Sequence, residues 1–118
     1  QKILGSRLPS STREGYFYMI QITPEIPGRI KMGFSTGVDA RLSAYQTFSP
    51  SATLIDYWPC LMCWERTVIH SITRQGCIKV TNEVFDCENV EAVVENAKQF
   101  FALMPLLGQG ETESEQQG

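Results

Sequence analysis

The sequence predicts an α+β domain in which a small sheet is covered by helices. Its 118 residues are enough for one hydrophobic core. Apolar residues make up 42% of the chain and charged residues 19%, which is typical of a globular protein. Segments with strand and helix patterns follow one another in the order β, β, α, β, α, extended segment, α. Strands and helices mixed in this way favour a sheet layer with helices packed against it.

The first two strands are predicted to form a hairpin. GYFYMIQI at residues 15–22 is short, aromatic and β-branched, and RIKMGFS follows at residues 29–35. The connecting TPEIPG has the prolines and glycine of a turn, and about six residues is near the common length for such a loop. Alternation along each strand brings two tyrosines onto one face, and two basic residues and a glycine onto one face of the next strand: Tyr16 and Tyr18, then Arg29, Lys31 and Gly33.

Three helices, one strand and one extended segment are predicted after the hairpin. GVDARLSAYQ has helical spacing up to Tyr45, with Thr36 and Asp39 as a weak capping box. ATLIDYW is a third strand, which Pro59 is expected to end. The later segments are a second helix in LMCWERTVIHSITRQG, the extended CIKVTNEVF, and a third helix in NVEAVVENAKQFFALM.

Both ends of the chain are expected to lie outside the folded domain. Residues 1–14 contain GSRLPSSTRE, whose serines and proline are typical of an arm that leads into a fold. Residues 108–118, GQGETESEQQG, contain no apolar residue to bury and are predicted to form a disordered acidic tail. The domain itself is therefore expected over residues 15–107.

Charge is distributed unevenly along the chain. The net charge is −3, which argues mildly against a nucleic-acid partner. Residues 1–50, however, hold six Lys or Arg and three acids, whereas residues 51–118 hold four and ten. A polyanion would therefore meet the N-terminal half of the chain.

The cysteines and the apolar runs favour a soluble, intracellular protein in the cytoplasm or nucleus. Four cysteines are too few for a disulfide scaffold, and no signal-peptide pattern precedes them. The longest nearly apolar run, residues 100–107, is far shorter than the ~20 residues that a membrane helix needs. Because the chain begins at Gln1 rather than Met, further domains of a longer chain and a targeting signal are left open.

Glu65 is the most informative position. It falls near the middle of an apolar stripe on the second predicted helix, and a stripe this wide faces the core. Because burying an unpaired carboxylate costs several kcal/mol, we expect Glu65 to be paired, protonated or bound to a cation. The alternative is a rim position, with the side chain turned outward or paired with an arginine. The stripe consists of Leu61, Trp64, Val68, Ile69 and Ile72.

Together with Glu65, four other residues form a set suited to phosphodiester hydrolysis. Arg41 and Tyr45 share a face of the first helix, and Tyr18 and Lys31 come from the hairpin. A carboxylate can hold a divalent cation, the basic groups can neutralise charge that grows in the transition state, and a phenol can relay a proton. Taken singly, each also fits sheet-edge packing or a solvent-facing position.

Two short motifs resemble those of the GIY-YIG nuclease domain family. FYMI at residues 17–20 is similar to the first family motif and KMG at residues 31–33 to the second. The run VIHSITRQGCIKVTNEVFDC, with His70 inside it, resembles the phage and fungal branch, whose second motif also commonly has lysine in place of tyrosine. The resemblance extends roughly over residues 15–101.

This resemblance implies a three-stranded antiparallel sheet flanked by about three helices, and an endonuclease that cuts DNA with one divalent metal, Mg²⁺ or Mn²⁺. Glu65 would bind the metal and Arg41 the scissile phosphate. Tyr18 would position or deprotonate the attacking water, and Tyr45 would be an alternative proton acceptor. The remaining substrate contacts would come from Lys31, Gly33 and His70, with Asn82 a candidate for an asparagine that some relatives use.

Two alternatives stay open. The first is the same fold acting as a catalytically inactive module that binds nucleic acid or a partner protein. The second concerns the cysteines: Cys60 and Cys63 form a Cys-x-x-Cys, and with Cys77 and Cys87 they could bind a structural zinc or act in redox chemistry. Their spacing does not repeat the Cys-x-x-Cys, so small buried or half-buried residues are the favoured explanation.

Overall fold

Residues 13–104 are the part of the chain that the computed structural model describes, and they contain five strands and three α-helices. The predicted arm up to residue 12 and the predicted tail over residues 108–118 lie outside the described residues. No helix within residues 13–104 is long and apolar enough to cross a membrane. The elements are β1 (Glu14–Gln21), β2 (Arg29–Ser35), α1 (Val38–Gln46), β3 (Thr53–Leu61), α2 (Glu65–Ile72), β4 (Cys77–Thr81), β5 (Val84–Cys87) and α3 (Val90–Leu103).

The described residues form one antiparallel sheet of five strands in the order β3, β1, β2, β5, β4. The fold class is α+β, as expected, but the prediction of a three-stranded sheet is wrong. The three expected strands lie next to one another in the order β3, β1, β2. The two additional strands extend the sheet on the β2 side. The turn that connects them supplies a residue to the candidate site.

The two additional strands come from the segment that the sequence indicated as one extended piece. CIKVTNEVF folds back on itself, so that Thr81 pairs with Val84 across a connection of Asn82 and Glu83. Short hairpin loops usually have glycine where φ is positive, but here Glu83 takes a φ of 66°. Without a glycine, the segment lacked the usual sequence signal of a turn.

β3 continues through a proline that was expected to end it. Pro59 lies within Thr53–Leu61 and is paired with Tyr16 of β1. The prediction was wrong because β3 is an edge strand, where the missing N–H of proline leaves no gap in the sheet.

Helices cover both faces of the sheet. On one face α1 packs over Tyr18 and Ile20 of β1. On the other face α2 and α3 pack over Phe17 and Met19, so successive β1 residues enter opposite cores, as strand alternation predicts. The core under α2 and α3 is the larger of the two and includes Ile30, Met32, Val68, Ile72, Phe85, Val93 and Ala97.

The N-terminus of α3 agrees with the sequence prediction, whereas that of α1 does not. Asn89 begins α3, and its Oδ1 accepts a hydrogen bond from Ala92 N at 3.1 Å. The cap of α1 is Gly37, without a side-chain hydrogen bond, so the predicted capping box of Thr36 and Asp39 is wrong. Instead, Ser35 Oγ accepts a hydrogen bond from Gly37 N at 3.0 Å.

Two Gly→Ala substitutions test whether the β4–β5 hairpin packs on β2. A Cβ on Gly28 would lie 2.3 Å from the carbonyl oxygen of Cys87, the residue whose N–H bonds to Gly28 O at 2.8 Å. We expect Gly28→Ala to lower the free energy of unfolding by at least ~2 kcal/mol, because strand backbones must separate. At Gly37, where the nearest atom is 3.9 Å away, the change should stay within about 1 kcal/mol.

Urea denaturation of both variants measures this difference. Equal midpoints for Gly28→Ala and Gly37→Ala would mean that β5 does not lie against β2.

Candidate active site

Tyr18 and Arg41 are in direct contact on the α1 face of the sheet. Arg41 Nη1 donates a hydrogen bond to Tyr18 Oη at 3.2 Å, and its guanidinium carbon lies 5.8 Å from the centre of the Tyr18 ring. Tyr18 is fully buried, whereas Arg41 is exposed on α1. The arginine therefore covers the phenol, and its movement would expose the phenol oxygen.

Gly33 creates the space in which the phenol meets the carboxylate. It pairs directly with Tyr18 across β1 and β2, so the two residues point to the same face. A Cβ at Gly33 would lie 2.9 Å from Tyr18 Oη and 3.4 Å from Glu65 Oε2. Both oxygens thus approach one point that only the absence of a side chain leaves free.

Glu65, the first residue of α2, is anchored to the backbone of β2. Its Oε2 accepts a hydrogen bond from Phe34 N at 3.1 Å. The β5 strand is paired with β2 only as far as Lys31, so among the described residues no strand takes the Phe34 N–H. The carboxylate replaces a strand at this open edge and is half-buried there.

The predicted apolar stripe began too early, because Leu61 ends β3 and Trp64 precedes α2. Glu65 still shares a helix face with the buried Val68 and Ile72.

Glu83 brings a second carboxyl group to the site. Its Oε1 lies 2.5 Å from Lys31 Nζ, and the Lys31 side chain is only 19% exposed. The backbone carbonyl of Glu83 also accepts a hydrogen bond from Met32 N at 2.9 Å, which holds the hairpin turn against β2. Glu83 therefore connects the additional hairpin to a predicted site residue.

The pKa of Glu65 is raised above its ordinary value. Burial is the largest cause, followed by the negative charge of Glu83 and a hydrogen bond with the Glu83 side chain. The Phe34 N–H and the positive charge of Lys31 act in the opposite direction but do not compensate. Two adjacent carboxyl groups thus lie near Lys31, whose positive charge does not offset the effects of burial and Glu83 on the pKa of Glu65.

The predicted site residues line two cavities. Tyr18, Lys31, Arg41 and Tyr45 line one of about 220 Å³ on the α1 face. The other, of about 480 Å³, lies between α2 and the β4–β5 hairpin; its wall includes Glu65, His70, Asn82 and Glu83. His70 therefore lies beside Glu65, but in a different cavity from Arg41 and Tyr45. The Lys31–Glu83 ion pair links the walls of the two cavities.

Two other residues on the predicted hairpin faces do not join the site. Arg29 binds Asp86 on β5 through Nε at 2.7 Å and Nη2 at 2.8 Å, a bidentate pair that joins two strands. Tyr16 packs edge-to-face against Tyr57 with ring centres 5.6 Å apart. Arg29 and Tyr16 therefore join strands and contribute to packing, and they are not part of the candidate site.

No role in the site was predicted from the sequence for Glu83, which belongs to the run that resembles the phage and fungal branch, or for the Phe34 N–H. Strand pairing alone brings Glu83 to Lys31, 52 residues earlier in the chain. The available signal was a glutamate that follows Asn82 between two β-branched segments, a weak indication of a turn.

The four cysteines do not come together as a zinc site. Cys60 is buried in the core and Cys63 is exposed, whereas the Sγ atoms of Cys77 and Cys87 lie 3.0 Å apart across β4 and β5. Within residues 13–104, no group of three or more His, Cys, Asp or Glu side chains is arranged to hold a metal ion. The zinc alternative therefore has no ligand set in the described part of the chain.

Comparison with known proteins gives no relative: no family model, no curated protein and no solved structure matches this chain. The resemblance to GIY-YIG nucleases accordingly stays a prediction from the residues.

The raised pKa of Glu65 predicts a pH-dependent stability difference. The folded state holds the Glu65 proton more tightly than the unfolded state, so this stabilisation is complete below about pH 4.5 and is lost as pH rises through the folded pKa. Glu65→Gln is neutral throughout and its amide oxygen can still accept from Phe34 N. Relative to this variant, the wild type should lose stability as the pH rises above about 4.5 and through the raised pKa of Glu65.

Chemical denaturation at several pH values measures the difference. Glu95→Gln, an exposed substitution on α3, is the matched control and should show little such trend. A constant difference between the wild type and Glu65→Gln would contradict the predicted direction of the shift.

Proposed function

We propose that the protein is a metal-dependent endonuclease of the GIY-YIG type that hydrolyses DNA phosphodiester bonds. The observation that carries the proposal is the approach of Tyr18 Oη and Glu65 Oε2 to the side-chain-free space at Gly33, with Arg41 on the phenol. A proton acceptor, a metal-binding carboxylate and a phosphate-binding cation are the groups that this reaction requires.

The carboxyl groups suit Mg²⁺ or Mn²⁺. Magnesium is commonly held by one or two carboxylates while water and substrate phosphate fill its other positions. Glu65 would be the protein ligand, and Glu83 is close enough to share a hydrogen bond with it. When bound, the cation would polarise a phosphate oxygen and offset the negative charge of the two carboxyl groups.

Tyr18 would position the attacking water and, in its ionised form, accept the proton of that water, which leaves a neutral phenol. The guanidinium of Arg41 donates a hydrogen bond to the phenol oxygen and would stabilise the ionised form. Tyr45 lies half-buried in the wall of the same cavity and is the alternative acceptor.

Arg41 and Lys31 would bind the scissile phosphate. Among residues 13–104 Arg41 forms no ion pair, so its planar guanidinium can make two bonds to phosphate oxygens. If the Arg41 side chain moved to the phosphate, it would also uncover the Tyr18 phenol. Lys31 is a compact point charge for which phosphate would compete with Glu83. His70, at the wall of the larger cavity, would contact the DNA strand beyond Glu65.

The same contacts also favour the second candidate, a module that binds nucleic acid without cutting it. The phenol of Tyr18 is buried beneath Arg41, and Lys31 is neutralised by Glu83. If the Arg41–Tyr18 and Lys31–Glu83 contacts never separated, the protein would keep its fold but could not cleave DNA. The two candidates differ in cleavage, not in binding.

Nicking of supercoiled plasmid tests the proposed function. With Mg²⁺ or Mn²⁺ the wild type should convert the plasmid to open circles, and Glu65→Gln or Arg41→Ala should slow this by at least ~100-fold, because each removes a group that stabilises transition-state charge. Glu95→Gln and Arg74→Ala, remote from the Tyr18–Glu65 contact, are the charge-matched controls and should cut normally.

Cutting that survives both Glu65→Gln and Arg41→Ala would contradict the assignment. A wild type that binds DNA in a salt-sensitive way without nicking it would establish the binding module instead.

A further inference from the structure

We propose that the cavity of about 220 Å³ on the α1 face, here named the apolar cavity, binds one unpaired nucleobase of the nucleic-acid substrate. This inference rests on the proposed function and adds to it the structural class of the substrate: DNA with an unpaired nucleotide beside the scissile phosphate. The cavity walls come from β1, β2, α1 and the loop that follows α1.

The chemistry of the cavity suits a flat, weakly polar body. Its exposed wall consists almost wholly of carbon atoms, contributed by Ile20, Ala44, Tyr45 and Phe48 among others. Its volume equals that of about seven waters in the liquid, which accommodates one base but not a base pair. Water gains few hydrogen bonds in such a space, so an apolar occupant is favoured.

Phe48 is the most exposed aromatic residue at this cavity. It lies just after α1 with 83% of its surface exposed, and its backbone N–H bonds to Tyr45 O at 3.1 Å, which fixes the loop against the helix. An exposed aromatic ring beside an apolar cavity is a stacking platform of the kind that proteins use for unpaired bases.

The charges beside the cavity identify the occupant as a nucleotide. The side chains of Arg41 and Lys31 form part of its wall through their carbon atoms, so the Arg41 guanidinium lies next to the apolar surface, whereas the Lys31 ammonium is paired with Glu83. An apolar peptide side chain would use Phe48 but would gain nothing from the guanidinium. A nucleotide uses both, with its base on the ring and its phosphate on the guanidinium. A stacked, paired base cannot present its face to Phe48, and a base that is already unpaired reaches the ring without the cost of unstacking, so a substrate with an unpaired base is favoured.

A comparison of base and abasic ligands tests this directly. Duplexes carry one unpaired nucleotide or the same site without its base, and fluorescence anisotropy measures their binding in the presence of chelator, so that no cutting occurs. We expect the wild type to bind the base-containing duplex about 10-fold more tightly. Phe48→Ala should reduce this ratio to near one, whereas Phe48→Tyr should keep it.

Ile78→Ala is the matched control, because Ile78 is 74% exposed on β4 and is not part of the apolar cavity. It should keep the wild-type ratio. Equal binding of the two duplexes by the wild type would overturn this inference while leaving plasmid nicking untouched. A ratio that persists in Phe48→Ala would overturn the assignment to this cavity. Failure of the wild type to bind DNA at all would overturn the proposed function as well.

Discussion

The candidate site depends on one hydrogen bond, from the backbone N–H of Phe34 to Glu65. It exists because β5 is paired with β2 only as far as Lys31. A buried donor left without a partner costs about 1–3 kcal/mol, so an acceptor at this edge is strongly favoured. Glu65, the first residue of α2, supplies this acceptor. It is thereby held at the sheet by a backbone N–H, a group that every residue type except proline has. The position of the carboxylate is therefore set by backbone geometry.

This anchoring brings Glu65 close to a second carboxyl group. The Phe34 N–H and Lys31 favour the charged form, whereas burial and Glu83 oppose it, and the raised pKa shows which pair of effects prevails. Lys31 lowers the pKa of Glu65 but already has Glu83 as its ion-pair partner. The incompletely compensated charge of Glu65 destabilises the fold slightly at neutral pH, and backbone strain adds to this cost, since Glu83 adopts a positive φ. A shifted pKa and backbone strain at the same place are typical of functional sites.

The features that depend on neighbouring residues in the chain could be predicted from the sequence. The bounds of β2, the opposite faces of neighbouring β1 residues and the cap of α3 follow from alternation, β-propensity and an asparagine at the helix start. The hairpin of β4 and β5 could not be predicted because its turn lacks glycine. The ion pair of Lys31 with Glu83 requires β2 and β5 to be neighbours, which depends on tertiary structure. Burial of Tyr18 was also missed, since alternation gives the face of a residue but not what covers it.

The site combines groups from both sides of the sheet, and the register of β1 on β2 makes this possible. Tyr18 packs under α1, whereas α2 packs on the opposite face, where Val68 and Ile72 join Met32. The Glu65 carboxylate reaches round the open edge of β2 and meets the phenol above Gly33. A shift of one residue would place Met32 or Phe34 opposite Tyr18 and fill the space. The same shift would turn the buried side chain of Met32 out of its core, so the packing that stabilises the larger core also fixes the register that the site requires.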